Sequence, residues 1–165
     1  MERISFEEYD KWLERHSGVI GEYGFFDAED AFEEEGVQFH KGNLSVGSLD
    51  VSPCVVVDGD LEITGSITYS FDRGLLVVNG NLRCNDFFFP FPTVVAGNLY
   101  AANVKIDSGC DYWLTVGGDI HAKSVIEDGH CIKVLGNIHS PDIKSFVNEL
   151  TIGGKKIPRS DSSEG

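Results

Sequence analysis

The side chains best placed for chemistry are two histidines that recur at equivalent positions of a repeated pattern. His121 and His139 each follow an isoleucine, first in Gly-Asp-Ile-His and then in Gly-Asn-Ile-His. If these positions stack on neighbouring strands, the imidazoles lie about 5 Å apart and could bind a metal ion or act as an acid–base pair. Arg83 and Tyr100 hold the same position in earlier copies, and we expect no carboxylate or cysteine beside the pair. We therefore interpret the column as an outward polar ladder and predict neither a metal site nor a cofactor.

Catalytic motifs are not recognisable in the sequence. No Ser, Cys or Lys has a general base at motif spacing, and the segments GGDI and VNGN are not followed by a helix, as phosphate-binding loops are. The four cysteines form no CxxC pair, so we expect reduced thiols, with Cys84 inside the fold and Cys131 outside. The sequence predicts that the protein is not an enzyme; an enzyme would have to assemble its catalytic groups across the coils from outward side chains.

A repeat of about eighteen residues positions these side chains. Apolar residues alternate with other residues on both sides of a glycine, which is typical of strands with one buried face. We expect the glycine to let the backbone turn where a side chain would clash. The pattern predicts a mainly β, three-sided parallel β-solenoid with a continuous apolar interior. The repeat glycines are Gly42, Gly59, Gly80, Gly97, Gly118, Gly136 and Gly154.

The remaining parts of the chain lie at its ends. We predict an acidic helical cap at 1–41, the solenoid at 42–158 and a disordered tail at 159–165. Ser5 and Glu8 have the spacing of a capping box, which predicts that a short helix begins there. We expect the apolar stripe of this helix to cover the open end of the solenoid. The stripe consists of Phe6, Tyr9, Trp12 and Leu13.

Negative charge is concentrated in the N-terminal part of the chain. The protein has 13 Lys and Arg against 27 Asp and Glu, and residues 1–50 hold 13 of the acids and 4 of the bases. Such a charge excludes nucleic acid and anionic membranes as partners and favours a basic protein, or solubility alone. We predict a second helix from Asp27 to Glu35, as a docking surface or simply a solvated face. Its acids are Asp27, Glu29, Asp30, Glu33, Glu34 and Glu35.

Aromatic residues interrupt the repeat in the two longest coils and in the segment between them. By alternation Phe87 and Phe89 point inward, which leaves Phe88 and Phe91 outward. Stacking is expected to bring a set of aromatic side chains to one edge, as a patch for protein binding. The alternatives are loops that fold back on themselves, or a self-association surface. The predicted patch consists of Tyr69, Phe71, Phe88, Phe91, Tyr112 and Trp113.

One stretch of the repeat resembles a known family. The residues from Gly118 to Val125, GDIHAKSV, together with Gly136-Asn137-Ile138 one coil later, resemble the G-x-I-x-A-x-x-V repeat of bactofilins, the polymer-forming bacterial cytoskeletal proteins. The resemblance covers roughly Val51 to Ile157. It implies a right-handed three-sided β-helix that polymerises end to end without nucleotide. The acidic helical N-terminus and the aromatic corners depart from the family pattern.

Two functions are compatible with these features. The first is a non-catalytic cytoplasmic binding protein that holds a basic protein partner through residues 27–35 and the aromatic corners. Its most specific form is an immunity or inhibitor protein that neutralises a basic toxin, for instance a nuclease. The alternative is a bactofilin-like scaffold subunit that self-associates end to end, as a homodimer or a filament. A cytoplasmic location is expected because the sequence shows no signal peptide and no stretch of membrane-spanning length.

Overall fold

Three strands per coil, separated by corners, wind the chain into a three-sided parallel β-solenoid. The computed structural model describes residues 1–24, 35–70, 73–108 and 112–157. Successive coils pair in parallel and in register, so that Thr93 lies between Leu76 of the coil before and Leu114 of the coil after. The predicted fold class is therefore confirmed, with about six coils of about eighteen residues. The tail from residue 159 lies outside the described residues.

Sheet A is the longest face of the solenoid. Its edges are closed by two antiparallel strands, β1 (Glu2–Ile4) on β2 and β21 (Lys155–Ile157) on β20. Its parallel strands are β2 (Val37–Lys41), β5 (Cys54–Asp58), β8 (Leu75–Val78), β11 (Thr93–Val95), β14 (Trp113–Val116), β17 (Cys131–Val134) and β20 (Leu150–Ile152). Strand β2 falls within the predicted cap but pairs with β5, so the solenoid begins at Val37 and not at residue 42.

The other two faces consist of shorter strands. Sheet B contains β3 (Leu44–Val46), β6 (Leu61–Ile63), β9 (Leu82–Cys84), β12 (Leu99–Tyr100), β15 (Ile120–His121) and β18 (Ile138–His139). The third face contains β4 (Leu49–Asp50), β7 (Ile67–Thr68), β10 (Asp86–Phe87), β13 (Asn103–Ile106), β16 (Ser124–Glu127) and β19 (Asp142–Ser145). Strands β4 and β7 pair with each other, and β10 to β19 form a separate ladder, so the third face is divided between β7 and β10.

The interior follows the alternation seen in the sequence. Val55 and Val57 of one coil and Leu76 and Val78 of the next are fully buried in the apolar column inside the solenoid. The cysteines also lie as predicted, because Cys84 is buried and Cys131 is exposed. Close stacking of the coils explains the repeat glycines from Gly59 to Gly136, whereas Gly42 and Gly154 have no atom within 4 Å of an added Cβ and adopt positive φ instead. A Cβ at Gly80 would lie 2.6 Å from the carbonyl oxygen of Gly59, closer than two such atoms can approach.

Two short helices cover the outer side of sheet A. Helix α1 (Phe6–Glu14) begins with the predicted capping box, and α2 (Gly18–Tyr23) follows it. Together they bury Tyr9, Trp12, Val19 and Ile20 against outward side chains of sheet A such as Val56. The prediction that the apolar stripe covers the open end of the solenoid is therefore wrong, because the stripe packs against a lateral face. We call α1 and α2 the helical layer.

The helical layer is attached to the solenoid by polar contacts as well. The Trp12 indole N–H donates to Asp58 at 3.3 Å, and Nε2 of His16 lies 4.0 Å from the same carboxylate. At the other end of the layer, the Lys133 ammonium donates to the Tyr23 hydroxyl at 2.5 Å. Within the described part of the chain, neither helix is long and apolar enough to cross a membrane.

Candidate functional site

The predicted acidic docking surface is only partly visible. Asp27, Glu29, Asp30, Glu33 and Glu34, and the predicted helix with them, lie outside the described residues. Glu35 is described and half-buried, and its carboxylate lies 3.5 Å from the guanidinium of Arg3 in β1. The chain enters this segment at Gly24, whose carbonyl accepts a hydrogen bond from the Tyr9 hydroxyl. Both flanks of the acidic segment are therefore attached to α1 or to the β-strand before it.

The helical layer itself presents further carboxylates. Among the exposed acids of residues 1–24, only Glu7 forms an ion pair within the described part of the chain. Its partner is Lys11, at 2.9 Å, and this contact lowers the pKa of Glu7. Three basic side chains, Arg3, Lys11 and Arg15, are exposed in the same stretch. Residues 1–24 thus carry twice as many exposed acids as bases. The exposed acids are Glu2, Glu7, Glu8, Asp10, Glu14 and Glu22.

The aromatic residues form a cluster that is mostly internal. Tyr69 packs edge-on against Phe91 at 5.0 Å, and Phe91 contacts Tyr112 at 6.1 Å. Only 6% of Phe91 is exposed, so the prediction that it points outward is wrong. Alternation continues through Pro90, which places Phe91 on the same side as Phe89. Of this cluster, Tyr69 alone is well exposed, at 47%.

Three other members of the predicted patch are not part of this cluster. Trp113 points to the outer side of sheet A, because its neighbour Leu114 points inward, and it packs with the helical layer. Phe88 is 53% exposed and lines a separate cleft beside Ile67, where the third face is divided. Phe71 lies outside the described residues. The aromatic edge is therefore shorter than predicted, and loops folded back on themselves account for most of it.

The outer surface of sheet B carries the predicted polar ladder. Arg83 lies 4.2 Å above the Tyr100 ring, Tyr100 stacks on His121 at 4.9 Å, and His121 stacks on His139 at 4.5 Å. The expectation that no carboxylate joins the histidines is wrong. Oδ2 of Asp119 lies 3.1 Å from Nε2 of His139.

Asp119 reaches His139 because of a second ladder, formed by the residue after each repeat glycine. In this ladder, the side-chain oxygen of one Asn or Asp accepts a hydrogen bond from the backbone N–H of the equivalent residue one coil later. Asn98 accepts from the Asp119 N–H at 2.8 Å, and Asp119 accepts from the Asn137 N–H at 2.8 Å. These Asn and Asp residues therefore link successive coils through hydrogen bonds. The ladder contains Asn43, Asp60, Asn81, Asn98, Asp119 and Asn137.

Sequence reasoning missed a buried carboxylate at the last corners. Glu127 is fully buried and is paired with the inward Ile106 of the coil before. A carboxylate at an inward position of the repeat was the signal in the sequence. Burial acts to raise its pKa, but hydrogen bonds outweigh burial and the pKa is lowered. The donors are the backbone N–H groups of Gly129, His130, Val147 and Asn148, the Asn148 amide and the Ser145 hydroxyl. Each donor fixes a corner, so we interpret Glu127 as structural.

Comparison with protein-family models, with characterised proteins and with solved structures finds no match to this chain.

Proposed function

We propose that this is a non-catalytic binding protein whose acidic helical layer holds a basic protein partner. The observation that supports the proposal is the excess of exposed carboxylates on residues 1–24, next to a segment with six more acids. Because sheet A is buried on both sides, the layer rests on a rigid support. A binding surface on such a support loses little conformational freedom when a partner binds.

The chemistry of the surface indicates what the partner has to offer. Exposed carboxylates without ion-pair partners attract Lys- and Arg-rich surfaces over a distance of about 10 Å, and salt weakens this attraction. In the most specific form of the proposal, the partner is a basic toxin such as a nuclease, and the carboxylates occupy the place of substrate phosphates. The proposed setting is the cytoplasm, which agrees with the buried free thiols of Cys54 and Cys84.

A pair of charge-reversal variants tests the proposal. The first changes Asp10, Glu14 and Glu22 of the helical layer to Lys. The second changes three exposed acids elsewhere to Lys, and it alters the net charge by the same amount. These control positions are Asp107, Asp128 and Glu149.

The experiment isolates the partner from a lysate of the native host at low salt and then measures its affinity with purified components by calorimetry. We expect the helical-layer variant to bind at least about tenfold more weakly, with the control within about twofold, because charge pairs in an interface act locally. An equal loss of affinity in both variants would show that binding depends on net charge alone and not on the helical layer. Unchanged affinity in both variants would show that the helical layer is not the binding surface.

A second candidate function is end-to-end self-association, as in the scaffold alternative. It is favoured by the last coil, where Ile143, Phe146 and Val147 are 37%, 43% and 48% exposed. Strands β18 and β19 are also edge strands, which can pair with another copy. We expect light scattering to show concentration-dependent dimers or filaments that Val147→Asp abolishes. A protein that stays monomeric at its highest attainable concentration would remove this candidate.

A further inference from the structure

The polar ladder of sheet B brings three potential metal ligands together at one end. Asp119, His121 and His139 each offer a ligand atom, and these atoms all lie within 4.8 Å of one another. We propose that the three side chains bind one divalent first-row transition-metal ion, with Zn²⁺ as the reference ion. Two imidazoles and one carboxylate are a donor set that suits Zn²⁺ and its neighbours in the series, but not Ca²⁺ or Mg²⁺.

The distance between two of the ligands is already close to that expected around a shared metal ion. Ligand atoms that each lie about 2.0–2.1 Å from a tetrahedral zinc ion are about 3.3–3.4 Å from each other. Oδ2 of Asp119 and Nε2 of His139 are separated by 3.1 Å, so a small outward shift of this pair is enough to admit the ion. The ion would replace their hydrogen bond without moving either residue far. This is the pair from which we expect the site to form.

The third ligand has to turn toward the ion. The rings of His121 and His139 are nearly parallel, at an interplanar angle of 14°, so their in-plane lone pairs do not converge as they stand. A rotation of the His121 side chain brings one ring nitrogen to the ion. Among the described residues, no hydrogen bond to the His121 ring opposes this rotation, which gives up part of the stacking on Tyr100 at 4.9 Å and on His139 at 4.5 Å.

The surroundings hold the carboxylate ready for an ion. Oδ1 of Asp119 accepts the Asn137 N–H at 2.8 Å, which orients the group and leaves Oδ2 free to coordinate. The Asn137 N–H, and then His139, lower the pKa of Asp119, so the carboxylate is charged at neutral pH. The side chain of His139 is 52% exposed, so solvent can provide the remaining ligand. Hydrogen bonding of this kind orients ligands in known metal sites.

The two ladders provide variants that remove a ligand but keep the fold. Asp119→Asn retains the hydrogen bond to Asn137, because Asn already holds this position in other coils, for example at Asn98. His139→Ala removes an imidazole from the outermost ladder strand. His40→Ala is the matched control, since His40 lies away from the three ligands on β2. All proteins carry Cys131→Ser and no affinity tag, because an exposed thiol or a tag would also bind zinc.

The experiment titrates the full chain with ZnCl₂ by calorimetry at neutral pH and repeats the titration at lower pH. We expect one ion per chain, about tenfold or more weaker binding in Asp119→Asn and His139→Ala, and binding within about twofold of the parent in His40→Ala. Binding should weaken in the titration at lower pH, because metal ions compete with protons for imidazole and carboxylate ligands. Co²⁺ should give visible absorption bands in the parent and not in His139→Ala.

Each alternative outcome overturns the proposal. An absence of saturable binding removes the site. Equal affinity in the parent, Asp119→Asn and His139→Ala places the ion elsewhere on the chain. Since the site lies on sheet B, away from the helical layer, its failure leaves the proposed function unaffected.

Discussion

Sheets A and B belong to the same coils and share the same interior, yet their outer surfaces differ in polarity and in burial. The outward residues of strands β5, β8 and β11 in sheet A are apolar and buried under the helical layer, as at Val56, Val77 and Val94. The outward residues of sheet B form a solvent-accessible ladder of charged and aromatic side chains, as at Arg83 and Tyr100. A repeat therefore determines the interior of a solenoid, while the residues between the repeat positions determine what each face contacts.

The first prediction compares one aromatic side chain on each face. Trp12 of the helical layer is 9% exposed and packs edge-on against Phe39 of sheet A at 5.8 Å. Trp12→Ala should lower the free energy of unfolding by about 3–5 kcal/mol, because it leaves a cavity in a closed layer. Tyr100→Ala removes a half-exposed ring from the sheet B ladder and should cost only about 1 kcal/mol. Urea denaturation measures both, and equal losses would contradict the comparison.

The second prediction concerns a buried histidine next to sheet A. His130 is fully buried just before β17, and burial lowers its pKa to about 4, although the Trp113 backbone and Glu127 act in the opposite direction. Since the unfolded chain binds the proton near pH 6.5, stability is complete above that pH and declines as the pH falls toward 4. The loss should reach roughly 3 kcal/mol.

The measurement for His130 is chemical denaturation at a series of pH values. His130→Leu removes the titrating group, so its stability should change much less between pH 6.5 and 4. Below about pH 4.5, protonation of Glu127 should destabilise both proteins, because its pKa is also lowered in the fold. Identical pH dependence of the two proteins above pH 4.5 would refute the assignment.

The third prediction tests the glycine corner that joins the two sheets. Gly80→Ala places a Cβ 2.6 Å from the Gly59 carbonyl oxygen, so the coils have to separate. We expect a loss of about 1–3 kcal/mol in stability, as for other overpacked sites. Gly47→Ala is the control, because no atom lies within 4 Å of its added Cβ, and it should cost at most about 0.5 kcal/mol. Thermal denaturation compares them; a Gly80→Ala protein as stable as Gly47→Ala would show that the corner is not tightly packed.

Much of the fold could be predicted from the sequence because it depends on local patterns. Alternation located inward residues such as Val55 and Val57, and the Ser5–Glu8 spacing located the start of α1. The position of the helical layer was missed, although Val55-Val56-Val57 carried the signal. An uninterrupted apolar strand is typical of a sheet that is buried on both faces.

The candidate sites were harder to predict because they depend on contacts between coils. Asp119 precedes His121 by two residues, but it approaches His139 of the next coil only because of its place in the Asn/Asp ladder. Phe91 lies inward, contrary to the prediction, because the alternation of Phe87 and Phe89 continues past Pro90. Glu127 occupies an inward position that N–H groups make tolerable. These belong to its own corner, at Gly129 and His130, and to the corner one coil later, at Val147 and Asn148.

Hydrogen–deuterium exchange of the chain alone and bound to its partner tests most directly whether the helical layer is the binding surface. We expect added protection in α1 and α2, residues 6–23, and unchanged exchange at the end of the solenoid, residues 138–147. Protection confined to residues 138–147 would contradict it and would assign binding to the exposed end of the last coil instead of the helical layer.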